Sequence, residues 1–523
     1  MVTQREMRTP AEMVAGLKRH IKPEWKVAFF STLLLGLLTH MPIMLSDIPN
    51  HDGLGSMYFD QNMITSGRWF LMVACGFSSF YTLPWLIGLI GLFWLACTSV
   101  VLTEIFKLKD TLVITLVGGL LVTFPALAST FAYVFTLDGY MLALFLAVLA
   151  VYFVGRFRYG FAAGAVCLAF SMGIYQAYLP FAILLSLYSI VMLATEEGTV
   201  KEKIQGALYY LYMGGIGSVL YYVILRVLLL LQGKELASYQ GISGMENVAS
   251  EGLLASLIHM YRDFFSFTVK GNVLFHNPFS LAALVILVVL TMVTAAQMFF
   301  SRKWWKKPLF FVIIGLLIAG CPLATNVILL ISPNVTYHLL MRYQWILYPI
   351  LMIAFVSHYG SCQRTGVLIS WALSLAGIVM VFCYLVTDNI AYSNLEKRYE
   401  KTYAYCIRLL DRIEQTEGYY QDIPIAIVGV VGYDQFPLTD ITQDVTSGMI
   451  GISGEQDVLL YTGANYQEFM KNYLGATLNF LSPEETSDIY YSEEYIAMES
   501  FPGATSVQII DGILCVKTEN TGR

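Results

Sequence analysis

Charge is what this chain is short of. Only 13% of its 523 residues are Asp, Glu, Lys or Arg, against about 25% in soluble domains, so most of the chain suits lipid rather than water. The charge that remains is slightly acidic, with a formal net of −6 at pH 7. That argues against a nucleic-acid partner, which would need a basic face. The 8 cysteines include no CxxC pair and no His/Cys cluster at zinc spacing. Most lie in apolar runs and read as buried thiols. Only Cys406 and Cys515 fall in the polar C-terminal region, where a disulfide between them is conceivable. There is no P-loop GxxxxGK[ST], no GxSxG elbow and no HExxH, which argues against a nucleotide-driven motor, a serine hydrolase and a zinc protease. Repeats and low-complexity stretches are lacking too. The basic N-terminal stretch is long, the first apolar run is of full length and no small-x-small site follows it, so the start reads as a retained helix rather than a cleavable signal.

What is abundant is apolar and aromatic. Hydrophobic residues make up 57% of the chain, and Phe, Tyr and Trp 14%, which suits interfacial belts and a sugar-stacking groove. A crossing takes about 20 apolar residues. Such runs fall near 25–44, 83–106, 111–130, 138–155, 160–173, 177–194, 207–231, 279–300, 309–331, 338–357 and 366–387. The pair at 160–194 is parted only by Tyr175-Gln176, so it could also be one bent helix or a re-entrant element. Lys and Arg collect before the first run and then in alternate loops: Lys107 and Lys109, Arg156 and Arg158, Lys201 and Lys203, Arg302 with Lys303, Lys306 and Lys307, then Arg364. The alternation holds only if 160–194 crosses twice. By the positive-inside rule the N-terminus is cytoplasmic and the C-terminus extracytoplasmic.

The expected fold is therefore an α-helical polytopic membrane protein of about 11 transmembrane helices, residues 1–387, followed by a small extracytoplasmic α/β domain, residues 388–523. Three segments face outward: a first loop at 44–82, a middle loop at 232–278, and the tail. The middle loop holds Gly241-Ile242-Ser243-Gly244 and then an apolar-periodic piece, Leu253 to Phe267, which reads as a helix lying in the interface. In the tail, Leu395, Tyr399, Cys406, Leu410 and Ile413 recur at helical spacing, Ile423 to Val431 reads as a buried strand, and Asp511-Gly512 between two apolar runs signals a hairpin.

The polar residues gather at the outward side. The first loop reads SDIPNHDGLGSMYFDQNMITSGRW from Ser46 to Trp69 and carries Asp47, His51, Asp52, Asp60 and Arg68. Asp52 lies in the turn-forming Asn50-His51-Asp52-Gly53, where a carboxylate could take the proton of an attacking sugar hydroxyl. Asp47, at the helix end, either shares that role or caps the loop. The alternative for all three acids is that they keep the loop solvated. Arg226 and Arg342 sit near the outer ends of apolar runs. An arginine there faces a cavity or an anion, or snorkels to the headgroups, and with Arg68 these two are candidates to fork a lipid phosphate. Asp138 is a second acid of the outer cavity or a plain helix N-terminal carboxylate. Tyr175 and Gln176 could hydrogen-bond a sugar or act as helix–helix glue. His259, Arg262 and His276 of the middle loop are weaker candidates.

The acidic first loop closing in Gly67-Arg68-Trp69, the stretch Gly173-Ile174-Tyr175-Gln176-Ala177, the stretch Leu339-Leu340-Met341-Arg342-Tyr343-Gln344 and the outward tail together resemble the bacterial type II O-antigen glucosyltransferase (Gtr) family. The resemblance covers most of the membrane region and extends weakly into the tail. It implies a GT-C class enzyme of the inner membrane that moves a sugar, glucose by analogy, from a polyprenyl-phosphate donor to an O-antigen or other surface glycan, with inversion. On that reading Asp52, or Asp47 with Asp52, is the general base. Arg342, Arg68 and Arg226 contact the donor phosphate, and His51, Tyr175, Gln176, Asp138 and Tyr343 line the sugar and lipid groove. The family's paired acids after the first span are reduced here to one at His51-Asp52-Gly53. No cofactor is implied, although the loop acids could hold a divalent cation. Two rivals remain: a lipid-linked glycan polymerase or ligase using His259, Arg262 and His276, and a non-enzymatic carrier, which should show mid-membrane charges and inverted repeats.

Overall fold

The computed structural model describes residues 9–12, 16, 20–55, 62–76, 78, 82–237, 253–270, 273–306, 308–332, 335–360, 366–428, 446, 449, 460, 463–482 and 484–518. Asp60, Arg364, the 241–244 glycine stretch and the end of the expected 423–431 strand lie outside them, as does the His51 side chain. The chain is a polytopic helical membrane protein. Its long helices are α1 (Pro23–Leu45), α2 (Pro84–Ile105), α3 (Thr111–Thr123), α4 (Pro125–Ala132), α5 (Val134–Arg156), α6 (Gly160–Ile174), α7 (Leu179–Thr195), α8 (Val200–Gln232), α9 (Leu253–Lys270), α10 (Pro278–Ser301), α11 (Pro308–Thr325), α12 (Leu347–Gly360) and α13 (Gly366–Glu414).

Local sequence explains where these helices begin and break. Pro23, Pro84 and Pro278 sit in first turns, where a missing N–H costs nothing. Thr199 and Glu202 close a capping box on α8, which ends at Gly233 with φ +61. Pro125 breaks the third expected run into α3 and α4, bent by 47°.

Among the described residues nine helices are long and apolar enough to cross a membrane, ten with α3 and α4 counted as one broken span. The remaining expected run is α6. At 15 residues it is about 22 Å long, short of a hydrocarbon core of about 30 Å. It is nevertheless a traverse of the bundle. Its start follows Arg156, and α7 ends beside Glu196, which pairs with Lys107 at 2.8 Å. Between them, Tyr175 and Gln176 lie at the opposite end, against Tyr140 and Tyr221. So 160–194 runs from the basic end of the bundle to the other end and back.

The basic loops do collect at one end. Lys22 pairs with Glu104 at 2.7 Å, Lys109 with Glu24 at 2.9 Å, and Arg302 donates to the Thr195 carbonyl at 3.2 Å. A cavity of about 530 Å³ opens among these helix ends, lined in part by Lys22, Arg156, Tyr210 and His358.

The last helix, α13, has 49 residues and is about 73 Å long. It runs without interruption through residues 387 and 388 and carries the bundle into the tail. Cys406, Leu409 and Ile413 on its far turns join Ile423, Ile425, Leu514 and Val516 in one apolar cluster continuous with the bundle core. The tail sheet has the order β2-β1-β4-β3, with β1 (Pro424–Val428), β2 (Asn479–Phe480), β3 (Val507–Ile510) and β4 (Ile513–Lys517). β1 is parallel to both neighbours, and β3 and β4 form the expected hairpin. Its turn residues Asp511 and Gly512 have φ +49 and +79, as a two-residue primed turn demands. Cys406 and Cys515 are free thiols in different clusters, so the conceivable disulfide is absent.

Candidate active site

The first loop supplies two anchored pieces. The nearer is a short helix, His51–Gly55, that starts behind Asn50. Asn50 is buried; its Oδ1 accepts from the Gly53 N–H at 2.6 Å and its Nδ2 donates to the Ala132 carbonyl at 2.9 Å. One side chain thus caps the helix and ties it to the end of α4. Asp52 is exposed in the first turn of this helix. The tail helix Gly463–Phe469 packs on the same short helix, so the turn is held between bundle and tail. Asp47 is exposed as a residue, yet the protein around its carboxyl raises it above the ordinary aspartate value.

The second piece is the turn Gly67-Arg68-Trp69, and three distant segments close on it. Gln176 Nε2 donates to the Ser66 carbonyl at 3.3 Å and to the Tyr221 hydroxyl at 2.9 Å, and that hydroxyl donates to the Gly67 carbonyl at 3.0 Å. Gly67 has φ +78, and a Cβ there would meet both Gln176 and Tyr221 at 2.6 Å; only glycine fits. Trp69 lies on Gly173, where a Cβ would come within 2.5 Å of the indole. Arg68 lies over the Tyr175 ring at 5.0 Å, Tyr175 stacks on Tyr140 at 4.1 Å, and Arg68 Nη1 donates to the Tyr140 hydroxyl at 3.2 Å. Two of the short motifs singled out in the sequence are therefore one packed unit.

Arg342 behaves differently. It lies in a 3-10 segment, Leu339–Ile346, and leaves helical geometry at φ −105, ψ 22. Its fork is filled by Asp263 of α9, at 2.7 and 2.8 Å, and its Nε donates to the Tyr337 carbonyl at 3.1 Å. The guanidinium is also sandwiched by Tyr337 at 3.9 Å and Phe267 at 4.3 Å. Asn326 Nδ2 donates to the same carboxylate at 2.9 Å. Such a saturated fork positions α9 against the 339–346 segment.

The other expected residues are placed as follows. Asp138 is not a helix N-terminal carboxylate, because α5 begins four residues earlier at Val134. It is buried, and accepts from Ser78 Oγ at 2.6 Å and from the Gly139 N–H at 2.9 Å. Tyr343 is not in an open groove: it is packed on Phe181 in the core, and its hydroxyl donates to the Leu121 carbonyl. Arg226 is exposed on α8 beside Tyr222, the snorkelling arrangement. His259 and Arg262 face outward on α9, while His276 bonds Thr387 at 2.7 Å. Among the described residues no three His, Cys, Asp or Glu side chains are grouped to hold a metal.

Sequence reading missed the buried His40 and Asp388 and the half-buried Asp263. The signal for Asp263 was present, an acid three residues after Met260 in the buried stripe of α9. A protein-family model described as Glucosyl transferase GtrII matches residues 41–359, a span that contains the short helix, the Arg68 turn and the Arg342 segment. No curated protein and no solved structure matches the chain. The match covers more than half of the chain, and the chain belongs to the GtrII glucosyl transferase family, membrane enzymes that pass glucose from a sugar donor to a glycan acceptor.

Proposed function

We propose that this glucosyltransferase takes glucose from a polyprenyl-phosphate donor and passes it, with inversion, to a surface glycan on the extracytoplasmic face of the inner membrane, with Asp52 as general base. The observation that carries this reading is the placement of Asp52: an exposed carboxylate on a capped turn, tied to the bundle through Asn50 and Ala132 and covered by the tail helix. A glycan can reach that turn from water while a lipid donor reaches it from the bundle. Asp52 would remove the acceptor hydroxyl's proton as its oxygen attacks the anomeric carbon, and the polyprenyl phosphate would leave with the bonding pair. A departing phosphate needs a cation. Arg68, aligned by Tyr140 and Tyr175, suits that role, whereas Arg342 acts through Asp263 as a positioning residue. On this reading the enzyme is of the GT-C class.

The test is transfer by the full-length protein in lipid, with polyprenyl-phosphate glucose as donor and the producing cell's surface glycan as acceptor. Asp52→Asn should lose roughly 10²–10⁴ in turnover while still binding donor. Turnover retained in Asp52→Asn but lost in Asp47→Asn would move the base to Asp47. An absence of transfer from any polyprenyl-phosphate sugar would overturn the donor assignment.

A further inference from the structure

The cavity of about 530 Å³ among the basic helix ends lies across the bundle from the Arg68 turn, apart from the chemistry placed there. Its volume is that of a small-ligand site. The ends of α2 and α5 and the facing turns of α7 and α8 make its walls. Gly206 lets α8 approach α7 here, because a Cβ at that position would run into the Leu193 side chain. The lining is two-sided: Val151, Met192 and Leu193 are apolar, whereas Glu104, Arg156 and Glu196 are ionic.

What this cavity lacks is an acceptor for its donors. Both of its carboxylates are engaged: Glu104 by Lys22 at 2.7 Å and by the Trp25 indole N–H at 2.6 Å, Glu196 by Lys107 at 2.8 Å. Arg156, in the last turn of α5, is left as a cation with no acid partner among the described residues. A guanidinium only donates. The Tyr188 hydroxyl is buried, with its ring edge-on to Phe106 at 5.2 Å, and has no hydrogen-bond partner among the described residues. The Tyr209 hydroxyl accepts from Gln205 at 2.8 Å, so its own hydrogen remains to be given. Buried polar groups are nearly always satisfied, so an orphan hydroxyl on a cavity wall marks the place of a ligand atom. The ligand that answers all three donors is an anion with several acceptor oxygens, and the apolar side of the cavity asks that it carry a hydrocarbon body.

We propose that this cavity binds the phosphate head of a membrane lipid, with Arg156 and the Tyr188 and Tyr209 hydroxyls on the phosphate oxygens and the lipid tail against Val151, Met192 and Leu193. A guanidinium forks phosphate oxygens, and basic pockets between membrane helices are natural seats for lipid headgroups. Two kinds of lipid carry this chemistry: a bilayer phospholipid, which is a diester, and a polyprenyl phosphate, which is a monoester. Either one joins α5, which supplies Arg156, to α7 and α8, which supply the two phenols. Binding therefore stabilises the folded bundle.

The test uses full-length protein in a maltoside detergent, which carries no phosphate, and does not depend on the transfer reaction. The thermal midpoint is followed as phosphatidylglycerol, undecaprenyl phosphate, diacylglycerol or inorganic phosphate is titrated in. At least one of the two lipid phosphates should raise the midpoint saturably, and its apparent Kd should weaken roughly tenfold or more in Arg156→Gln and in Tyr188→Phe. The tighter of the two names the source, bilayer lipid or carrier. Arg158→Gln removes the same charge two residues on, from a side chain that lies over Tyr159 outside the cavity, and should keep the wild-type Kd. Undecaprenyl phosphate that still binds Arg156→Gln but not Arg68→Gln sits at the transfer site, which would rule the carrier out as the ligand here. Equal stabilisation by diacylglycerol would overturn the role of the phosphate, and equal affinity for inorganic phosphate alone that of the tail. An equal loss in Arg158→Gln would reduce the binding to general surface attraction. The proposal fails outright if neither lipid phosphate raises the midpoint, or if both cavity variants bind as wild type does.

Discussion

Arg68 and Arg342 sit in two regions that look alike in sequence, each an arginine followed by an aromatic residue at the edge of an apolar run. The structure treats them in opposite ways. Arg342 is clamped by a carboxylate, a carbonyl and two aromatic faces, and links α9 to the 339–346 segment. Arg68 is held by the stacked pair Tyr140 and Tyr175 on a turn that glycine alone can make. An arginine whose two fork arms are already on a carboxylate stabilises structure. Arg68, lying over Tyr175 and bonded to Tyr140, instead stands on the turn that three distant segments close.

The largest effect that would break this contrast is at Arg342. Replacing either partner of a partly buried ion pair strands the other, so Arg342→Ala and Asp263→Ala should each destabilise the protein by about 3 kcal/mol, the low end for a fully buried pair. The double variant should lose much less than the sum. Thermal unfolding in lipid, read as a double-mutant cycle, checks it. Additive losses would mean that the two do not act as a pair, and would return Arg342 to the list of phosphate contacts.

Next come the glycines under Arg68. Gly67→Ala forces a Cβ into Gln176 and Tyr221 at a positive φ, and Gly173→Ala drives one into Trp69. Overpacking of this kind costs about 1–3 kcal/mol. The turn carries Arg68, so glucosyl transfer should fall more than global stability does. Equal losses at Gly67 and at Gly88, where a Cβ would meet only Met44, would show that the turn has no special place in the reaction.

Arg68→Lys sharpens the same point with a smaller change. The charge stays, but the planar stack on Tyr175 is lost, worth about 0.5–2 kcal/mol. The value of kcat should fall roughly 2- to 30-fold, with donor KM less affected. An unchanged kcat would detach Arg68 from the departing phosphate.

The fold was legible where one physical rule dominates. Long helices follow from hydrophobic length, which is why the apolar runs of the sequence recur as the helices of the bundle. The Asp511-Gly512 hairpin follows from turn chemistry, and the Leu395–Ile413 helix from its periodicity. The reading stopped short where partners are far apart in sequence. Asp263 and Arg342 are 79 residues apart and Asn50 and Ala132 are 82, and no local pattern announces such pairs. Asp388 shows the same limit. At the end of an apolar run it reads as the first polar residue of the tail, but α13 continues unbroken and draws it inside.

The smallest expected effect is the titration of His276, in the loop before α10. Burial lowers His276 below the ordinary histidine value, so the folded protein binds that proton less readily than the unfolded chain does. Its Nε2 must donate to Thr387, because the Thr387 hydroxyl donates to the Cys383 carbonyl, and Nδ1 is left buried without a partner. The stability associated with neutral His276 is therefore complete above a pH of about 6.5 and is lost as pH falls below it. His276→Gln can keep the donor to Thr387 and should flatten this acid limb in a thermal-midpoint profile. It should leave the midpoint above that range unchanged. An acid limb that survives in His276→Gln would mean that another group carries it.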